Sequence, residues 1–162
     1  MNAHLTAVWR VLRRCGLPER DADEAAQDVF WILYRRLADV PAKAERAFLM
    51  GTAVRVAADR RRSLATRPEA ELDREIPVRD LPADEVVALW QARVWLDEAL
   101  GSLSDDQRAV FVLVEMEEMT GPEVAALLEI PPGTVASRLR SARHAFDAAV
   151  RRLHLRSRQG AP

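Results

Sequence analysis

Apolar residues recur along this chain at helical spacing, and stretches that alternate like a strand are weak throughout. Leu5, Val8, Trp9 and Leu12 stand at i, i+3, i+4 and i+7, which predicts the buried face of a first helix ended by Gly16 and Pro18. A second helix starts near Asp21, carries Ala22, Ala25, Ala26, Val29, Phe30, Leu33 and Leu37 on one face, and closes at Pro41. A third runs from about Ala44 to Arg62 with Ala47, Phe48, Gly51, Val54 and Ala58 inward. The pattern then fails: residues 64–84 hold Pro68, Pro77 and Pro82 among several acids and read as a flexible linker.

A second helical series follows. One long helix carries Val86, Leu89, Trp90, Val94, Leu96 and Leu100 and stops at Gly101. Ser104 stands three residues before Gln107, a capping box that opens a helix burying Val110, Phe111, Leu113 and Val114. Thr120 and Glu123 make a second capping box, with Pro122 tolerated in the first turn of a short helix ending at Leu128. After a turn over Glu129 to Gly133, Thr134 is expected to cap a last helix with Val135, Leu139, Ala142, Phe146, Val150 and Leu153 on one face. The expected fold is therefore all-α: a helical domain over 1–63, a linker over 64–84, a second helical domain over 85–155, and a disordered tail over 156–162.

Composition narrows the function. The chain has 162 residues, of which 49% are hydrophobic, enough for one ordinary domain or two small helical ones. No apolar run approaches the ~20 residues of a membrane span. The N-terminus lacks a signal-peptide pattern, so a cytoplasmic location and no membrane insertion are expected. Cys15 is the one cysteine, which excludes an internal disulfide, and it reads as buried filler. The net charge of −1 is unevenly spread. Arginines cluster at Arg60, Arg61 and Arg62 and again from Arg138 to Arg158, whereas acids concentrate at Asp21 to Asp28, Glu69 to Asp84 and Glu115 to Glu123. Local basic patches on a neutral chain suit DNA at chosen places and protein elsewhere.

Catalytic constellations do not emerge. His4, His144 and His154 are scattered, with no Cys/His spacing of a zinc site. Gly51 and Gly121 stand alone, so there is no phosphate loop, and no Gly-x-Ser-x-Gly elbow exists. No enzyme activity, metal or cofactor is expected.

The most informative stretch lies between Thr120 and Arg143. A short helix, a turn and a second helix read as a helix-turn-helix, packed by Val124, Ala125 and Leu128, plugged at the corner by Ile130 and anchored by Val135 and Leu139. Thr134, Ala136, Ser137, Arg138, Arg140 and Ser141 then lie near the exposed N-terminal half of the second helix, which in this motif faces the major groove. Arginine binds guanine through two hydrogen bonds, Ser and Thr serve bases or phosphates, and Arg143, one turn on, suits a backbone contact.

The segment LSDDQRAVFVLVEMEEMTGPEVAALLEIPPGTVASRLRSARHAF resembles the fourth conserved region of sigma-70 factors, closest to the extracytoplasmic-function (ECF) group. DADEAAQDVFWILYRRL and AFLMGTAVRVAADRRR resemble that group's second region. The order of second region, linker and fourth region also agrees, and the resemblance covers about Leu5 to Leu153. It implies a sigma factor that directs bacterial RNA polymerase core to promoters. Gln27, Asp28, Phe30 and Trp31 would then dock on the β′ clamp helices. Arg55, Asp59, Arg60, Arg61 and Arg62 would face the −10 element. Thr134, Ser137, Arg138, Arg140, Ser141 and Arg143 would read the −35 element in double-stranded promoter DNA while this half sits on the β flap. An anti-sigma factor is a frequent partner in the family. The chain departs from the family in beginning late in the second region, in having Phe48 where a tryptophan is usual, in a loop from Asp39 to Arg46 without aromatic residues, and in Ala136 where a basic residue is frequent. These departures bear on promoter melting, and they keep two alternatives open: a sigma-like DNA-binding regulator unable to initiate, or a protein-binding helical adaptor.

Overall fold

A computed structural model describes residues 2–65 and 83–159, and every described regular element is helical. The expected linker falls mostly on 66–82, outside the described residues. Seven α-helices are described: α1 (Asn2–Arg14), α2 (Glu19–Arg35), α3 (Glu45–Ala65), α4 (Ala83–Gly101), α5 (Asp105–Phe111), α6 (Gly121–Leu128) and α7 (Pro132–Gln159). A 3₁₀ turn over Ala42–Ala44 leads into α3, and a π-helical turn over Val112–Met116 extends α5.

α1, α2 and α3 pack on one another as a three-helix group. Val8, Val11 and Leu12 of α1 meet Ala22, Ala25, Ala26, Val29 and Leu33 of α2 in a fully buried layer. The small residues of α2 allow close approach. Leu5 is a correction: it is 49% exposed, and Trp9 is only partly buried, its indole N–H donating to Asp23 Oδ1 at 2.8 Å. A helix stripe 100° wide has edges, and the polar tip of Trp9 places it at one. Leu37, expected on the α2 face, lies beyond the end of the helix and is exposed.

α3 departs most from expectation. Gly51 and Val54 are buried as the sequence suggests, but Leu49, Met50, Ala53 and Ala57 on the neighbouring face are buried too. The helix is covered on two sides, by α1 and α2 and by α6. One buried cluster consequently runs from Val8 and Leu49 through to Leu113, Val124 and Ala142, so the two helical series close on each other.

In the second series α7 is the spine, against which α4, α5 and α6 pack. Both capping boxes form: Ser104 and Gln107 open α5, Thr120 and Glu123 open α6. Two details are corrected. α7 begins at Pro132, whose missing N–H costs nothing in a first turn, so Thr134 sits inside that turn and the chain is capped at Pro131, whose carbonyl accepts from the Thr134 N–H at 2.9 Å. α7 also continues through Arg156 to Gln159, where a disordered tail is expected. After Gly133 no Gly or Pro interrupts it before Gly160, Leu153 is buried, Arg156 pairs with Glu98, and the arginines of the last turn suit the helix dipole. Leu89, expected on the buried face of α4, is 58% exposed. Among the described residues no helix is long and apolar enough to cross a membrane.

Candidate nucleic-acid interface

The helix-turn-helix is built by α6 and α7. α6 ends at Leu128, and Glu129 takes a left-handed conformation (φ 57°) that lets the Ile130 N–H reach back to the Ala125 carbonyl at 3.1 Å. Val124, Ala125, Val135 and Ala142 are buried, and Ile130 and Leu139 pack partly against them. With Val135 inward, helical geometry turns Ala136, Ser137, Arg140 and Ser141 outward, and all four are exposed. Thr134 is partly buried. Arg138 pairs with Asp106 at the start of α5, and Arg143 makes two bonds to Glu115 Oε1, at 2.8 and 2.5 Å. The six expected −35 residues thus share the first three turns of one helix, with Arg138 and Arg143 held sideways by carboxylates.

The expected −10 residues lie along α3 but are drawn in different directions. Arg60 turns back to α2, donating to Asp28 Oδ2 at 2.6 Å and Glu24 Oε2 at 3.2 Å. Partial burial opposes its charge, but those two hydrogen bonds outweigh burial and hold its pKa above the ordinary guanidinium value. Arg62 pairs with Asp59 one turn earlier. Arg55 and Arg61 reach across to the second series. Arg55 donates to the Leu127 carbonyl at 2.7 Å, where the C-terminal end of α6 favours a cation, and to Glu129 Oε1 at 3.2 Å. Arg61 pairs with Asp105. A cleft of about 490 Å³ lies between α3 and the α5–α7 group, lined by Arg55, Arg61, Arg62, Arg108 and Arg138 together with Asp59, Asp105 and Asp106.

The expected polymerase-docking residues are on the outer side of α2. Gln27, Asp28 and Trp31 are exposed, and Phe30 is half-buried against the core. Trp31 is 61% exposed and stacks on the equally bare Tyr34, with ring centroids 5.5 Å apart. An exposed aromatic pair beside Leu37 is a larger apolar surface than a solvated helix needs. Tyr34 and Leu37 extend the patch beyond the residues expected from sequence; their i+3 spacing from Trp31 and Tyr34 was the available signal.

Two buried charged groups were not legible as sites. Glu117, within a run of acids, is buried at the foot of the π-helical turn. Its carboxylate is gripped by Arg14 at 3.0 Å and Arg46 at 3.5 Å, and Arg46 also donates to its backbone carbonyl at 2.9 Å. Arg108 of α5 is buried and donates to the Cys15 carbonyl at 3.3 Å, while its Nε makes no hydrogen bond. Burial first, and the positive charge of Arg61 second, lower the pKa of Arg108. Gly16, at φ 92°, takes a turn that other residues rarely adopt, and a Cβ there would collide with the Arg108 guanidinium. Cys15 is buried as expected, and desolvation pushes its thiol up to about 12 against the opposing pull of Arg108 and Arg61. Among the described residues no group of three or more His, Cys, Asp or Glu is placed to hold a metal ion.

Comparison with known proteins agrees with this geometry. The family model of Sigma-70 region 2 matches residues 1–67, and that of Sigma-70 region 4 matches residues 93–146. The ECF RNA polymerase sigma factor SigM of Mycobacterium tuberculosis is 30% identical over 141 residues, covering 86% of this chain and 69% of the relative. The ECF RNA polymerase sigma factor SigK of Mycobacterium sp. (strain KMS) is 33% identical over 138 residues, 82% of this chain and 69% of the relative. In fold, the chain is similar to the sigma factor RpoE of Bartonella quintana, solved in complex with the anti-sigma factor NepR, with a TM-score of 0.70, 16% identity and 92% of each chain covered.

Proposed function

Because the chain belongs to the extracytoplasmic-function family of RNA polymerase sigma factors and so works with core polymerase and promoter DNA in transcription initiation, we propose how its residues divide that task. Residues 1–63 form the half that holds the polymerase and the −10 element, 85–155 form the half that holds the −35 element, and 64–84 join them. The exposed N-terminal face of α7 carries this reading. Arg140 and Ser137 stand outward on a helix whose opposite side, Val135 and Ala142, is locked into the core, so the base-reading face is fixed in orientation. Thr134, Ser137, Arg138, Arg140 and Ser141 reach base edges or phosphates of the −35 element, and Arg143 holds the backbone.

On the first half, Gln27, Asp28, Phe30 and Trp31 engage the β′ clamp helices, supported by the bare Trp31–Tyr34 stack. Arg55, Asp59, Arg60, Arg61 and Arg62 face the −10 element, with Arg60 doubling as the tie between α3 and α2. Phe48 packs partly against the core, so any melted-strand base is held by the Asp39–Arg46 loop without an aromatic partner on α3. The protein makes and breaks no bond of its own and acts in the cytoplasm, where polymerase and DNA meet. The second half rests on the β flap. An anti-sigma protein is a further proposed partner, because the similar Bartonella factor was solved with one.

Run-off transcription with core polymerase tests the reading. The protein should yield discrete start sites, and Arg140→Ala should weaken the preferred −35 sequence by about 1–3 kcal/mol relative to a scrambled one. Binding to polymerase without any transcript would instead favour a sigma-like regulator unable to initiate. Unchanged discrimination by Arg140→Ala would remove α7 from base reading.

A further inference from the structure

Five arginines line the cleft between α3 and the α5–α7 group, and four of them have a carboxylate: Arg55 meets Glu129, Arg61 meets Asp105, Arg62 meets Asp59 and Arg138 meets Asp106. Among the described residues Arg108 is the exception. It is buried and donates to the Cys15 carbonyl at 3.3 Å, but its Nε makes no hydrogen bond. Asp105 and Asp97 act on it only through space, and the opposing charge of Arg61 outweighs either. A Cβ at Gly16 would collide with Arg108 Nη1 and stand 3.3 Å from Arg61 Nε, so two guanidinium groups converge on one point of the backbone. A buried cation without a counter-charge is costly, and a second cation beside it adds to the cost.

The cleft has room for the missing charge to come from outside. Its volume of about 490 Å³ is that of an ordinary small-molecule site. Arg108 and Cys15 form its buried lining, while Arg61 and Arg138 keep part of their side chains open to water. Arg61 meets Asp105 through Nη1 and Arg138 meets Asp106 through Nη2. A guanidinium carries five N–H donors, so a pair made through one nitrogen leaves donors for a second anion. Asp105 and Asp106 are exposed and turn to water at little cost when that anion arrives. Val54, Ala58, Ala109, Leu128 and Ile130 supply an apolar wall. The arginine fork matches the oxygens of a phosphate, and the wall suits a carbon body attached to it, which a bare inorganic ion would leave unused.

We propose that this cleft binds a small phosphate ester, its phosphate facing Arg61, Arg108 and Arg138 and its carbon body lying on Val54, Leu128 and Ile130. Sugar phosphates and nucleotides share that chemistry. The site does not rest on assigning α3 and α7 to promoter DNA. A phosphate held there would nevertheless compete with DNA phosphates for Arg61 and Arg138.

Calorimetric titration of the full chain at constant ionic strength tests the site. The probes are inorganic phosphate, ribose phosphate, adenosine monophosphate, guanosine monophosphate and unphosphorylated adenosine. At least one ester should bind at least about tenfold tighter than inorganic phosphate, and adenosine alone should not bind. At saturation that ester should slow modification of Cys15 by an aromatic disulfide reagent by about tenfold or more, because it lies over the thiol and stabilises the folded form. Arg61→Gln should weaken the ester by about tenfold, and so should Arg108→Gln if circular dichroism shows it folded. Arg61 is partly exposed, so its variant decides the matter even where Arg108→Gln does not fold. Arg20→Ala, on α2 outside the cleft lining, should change nothing. Ribose phosphate binding as well as the mononucleotides would assign the body to a sugar, and a preference for one mononucleotide would add the base; either supports the site. No binding by any ester, or esters no tighter than inorganic phosphate, would overturn it. So would an ester that binds Arg61→Gln undiminished or leaves Cys15 labelling unchanged, since its site would then lie elsewhere. None of these readouts involves promoter DNA, so the site can fail while the sigma-factor reading stands, and the reverse.

Discussion

Glu117 and Asp106 are both carboxylates of the second half that hold arginines, and they differ in burial. The Glu117 side chain is 2% exposed and meets two arginines from the other half of the chain. Asp106 is 66% exposed and meets Arg138 within its own half. A buried carboxylate stripped of its partners has nowhere to find water, so its pairs are committed once made. An exposed one exchanges its partner for water or for a phosphate at little cost. The same contrast separates Arg14 and Arg46, which serve structure, from Arg138 and Arg143, whose exposed carboxylate partners a DNA backbone can replace. The exposed pairs of Arg138 and Arg143 are thus placeholders, and the buried pairs of Glu117 at the seam between halves are fasteners.

The comparison breaks most directly at Glu117. Glu117→Ala removes the buried partner of Arg14 and Arg46, which are 26% and 49% exposed and can turn to water, so stability should fall by about 1–3 kcal/mol in urea unfolding followed by circular dichroism. The transition should also lose its single step, because the two halves no longer unfold as one unit. A loss below about 1 kcal/mol would place Glu117 with the exposed pairs.

How far this contrast was visible beforehand follows from where each signal lies. The capping boxes at Ser104 and Thr120 and the inward run from Ala22 to Leu33 depend on neighbours in sequence, and each appears where the spacing puts it. The exposure of Ser137 and Arg140 was legible because a helix-turn-helix fixes its outward face locally, whereas the turn of Arg138 toward Asp106 was not. Glu117 was not, since one acid in the Glu115 to Glu123 run looks like its neighbours until the π-helical turn selects it for burial, and no spacing announces such a turn. α3 misled for a related reason. Its apolar residues surround the helix, and a single-face reading finds Gly51 and Val54 but cannot tell that Met50 and Ala57 are covered as well. Contacts between halves are invisible to periodicity, which reports only that a face is apolar, never what covers it. The polar tail was misread in the opposite direction: its arginines looked solvated, and they are, yet the helix carries them to Gln159.

Cys15 offers a smaller test at the same seam. Its thiol is raised from an ordinary 9.0 to about 12 by burial beneath the contact of Arg108 with its carbonyl. The unfolded chain ionises first, so this group's contribution is complete below pH 9 and declines as pH rises from about 9 toward 12. Stability should fall by roughly 1 kcal/mol by pH 10 relative to Cys15→Ala, in paired denaturant titrations at pH 8 and 10. Parallel curves for the two proteins would mean that Cys15 stays in contact with water, and the seam would be looser than its geometry.

The smallest effect is expected where the pair is most exposed. Asp106→Asn removes the partner of Arg138 and one acid from the first turn of α5, where a negative charge suits the helix N-terminus. Stability should change by less than about 1 kcal/mol, the sum of a weak ion pair and a weak dipole contact. Duplex binding should strengthen by a few-fold at low salt, since Arg138 no longer leaves a carboxylate to meet a phosphate and the surface loses a charge that repels DNA. Raising the salt should shrink that gain, because both contributions are electrostatic. The opposite sign is the informative one. If Asp106→Asn weakens binding to the preferred sequence and leaves scrambled duplex unaffected, the carboxylate is holding the Arg138 side chain in its base-reading direction, and an exposed pair has become part of recognition in spite of its small worth to the fold.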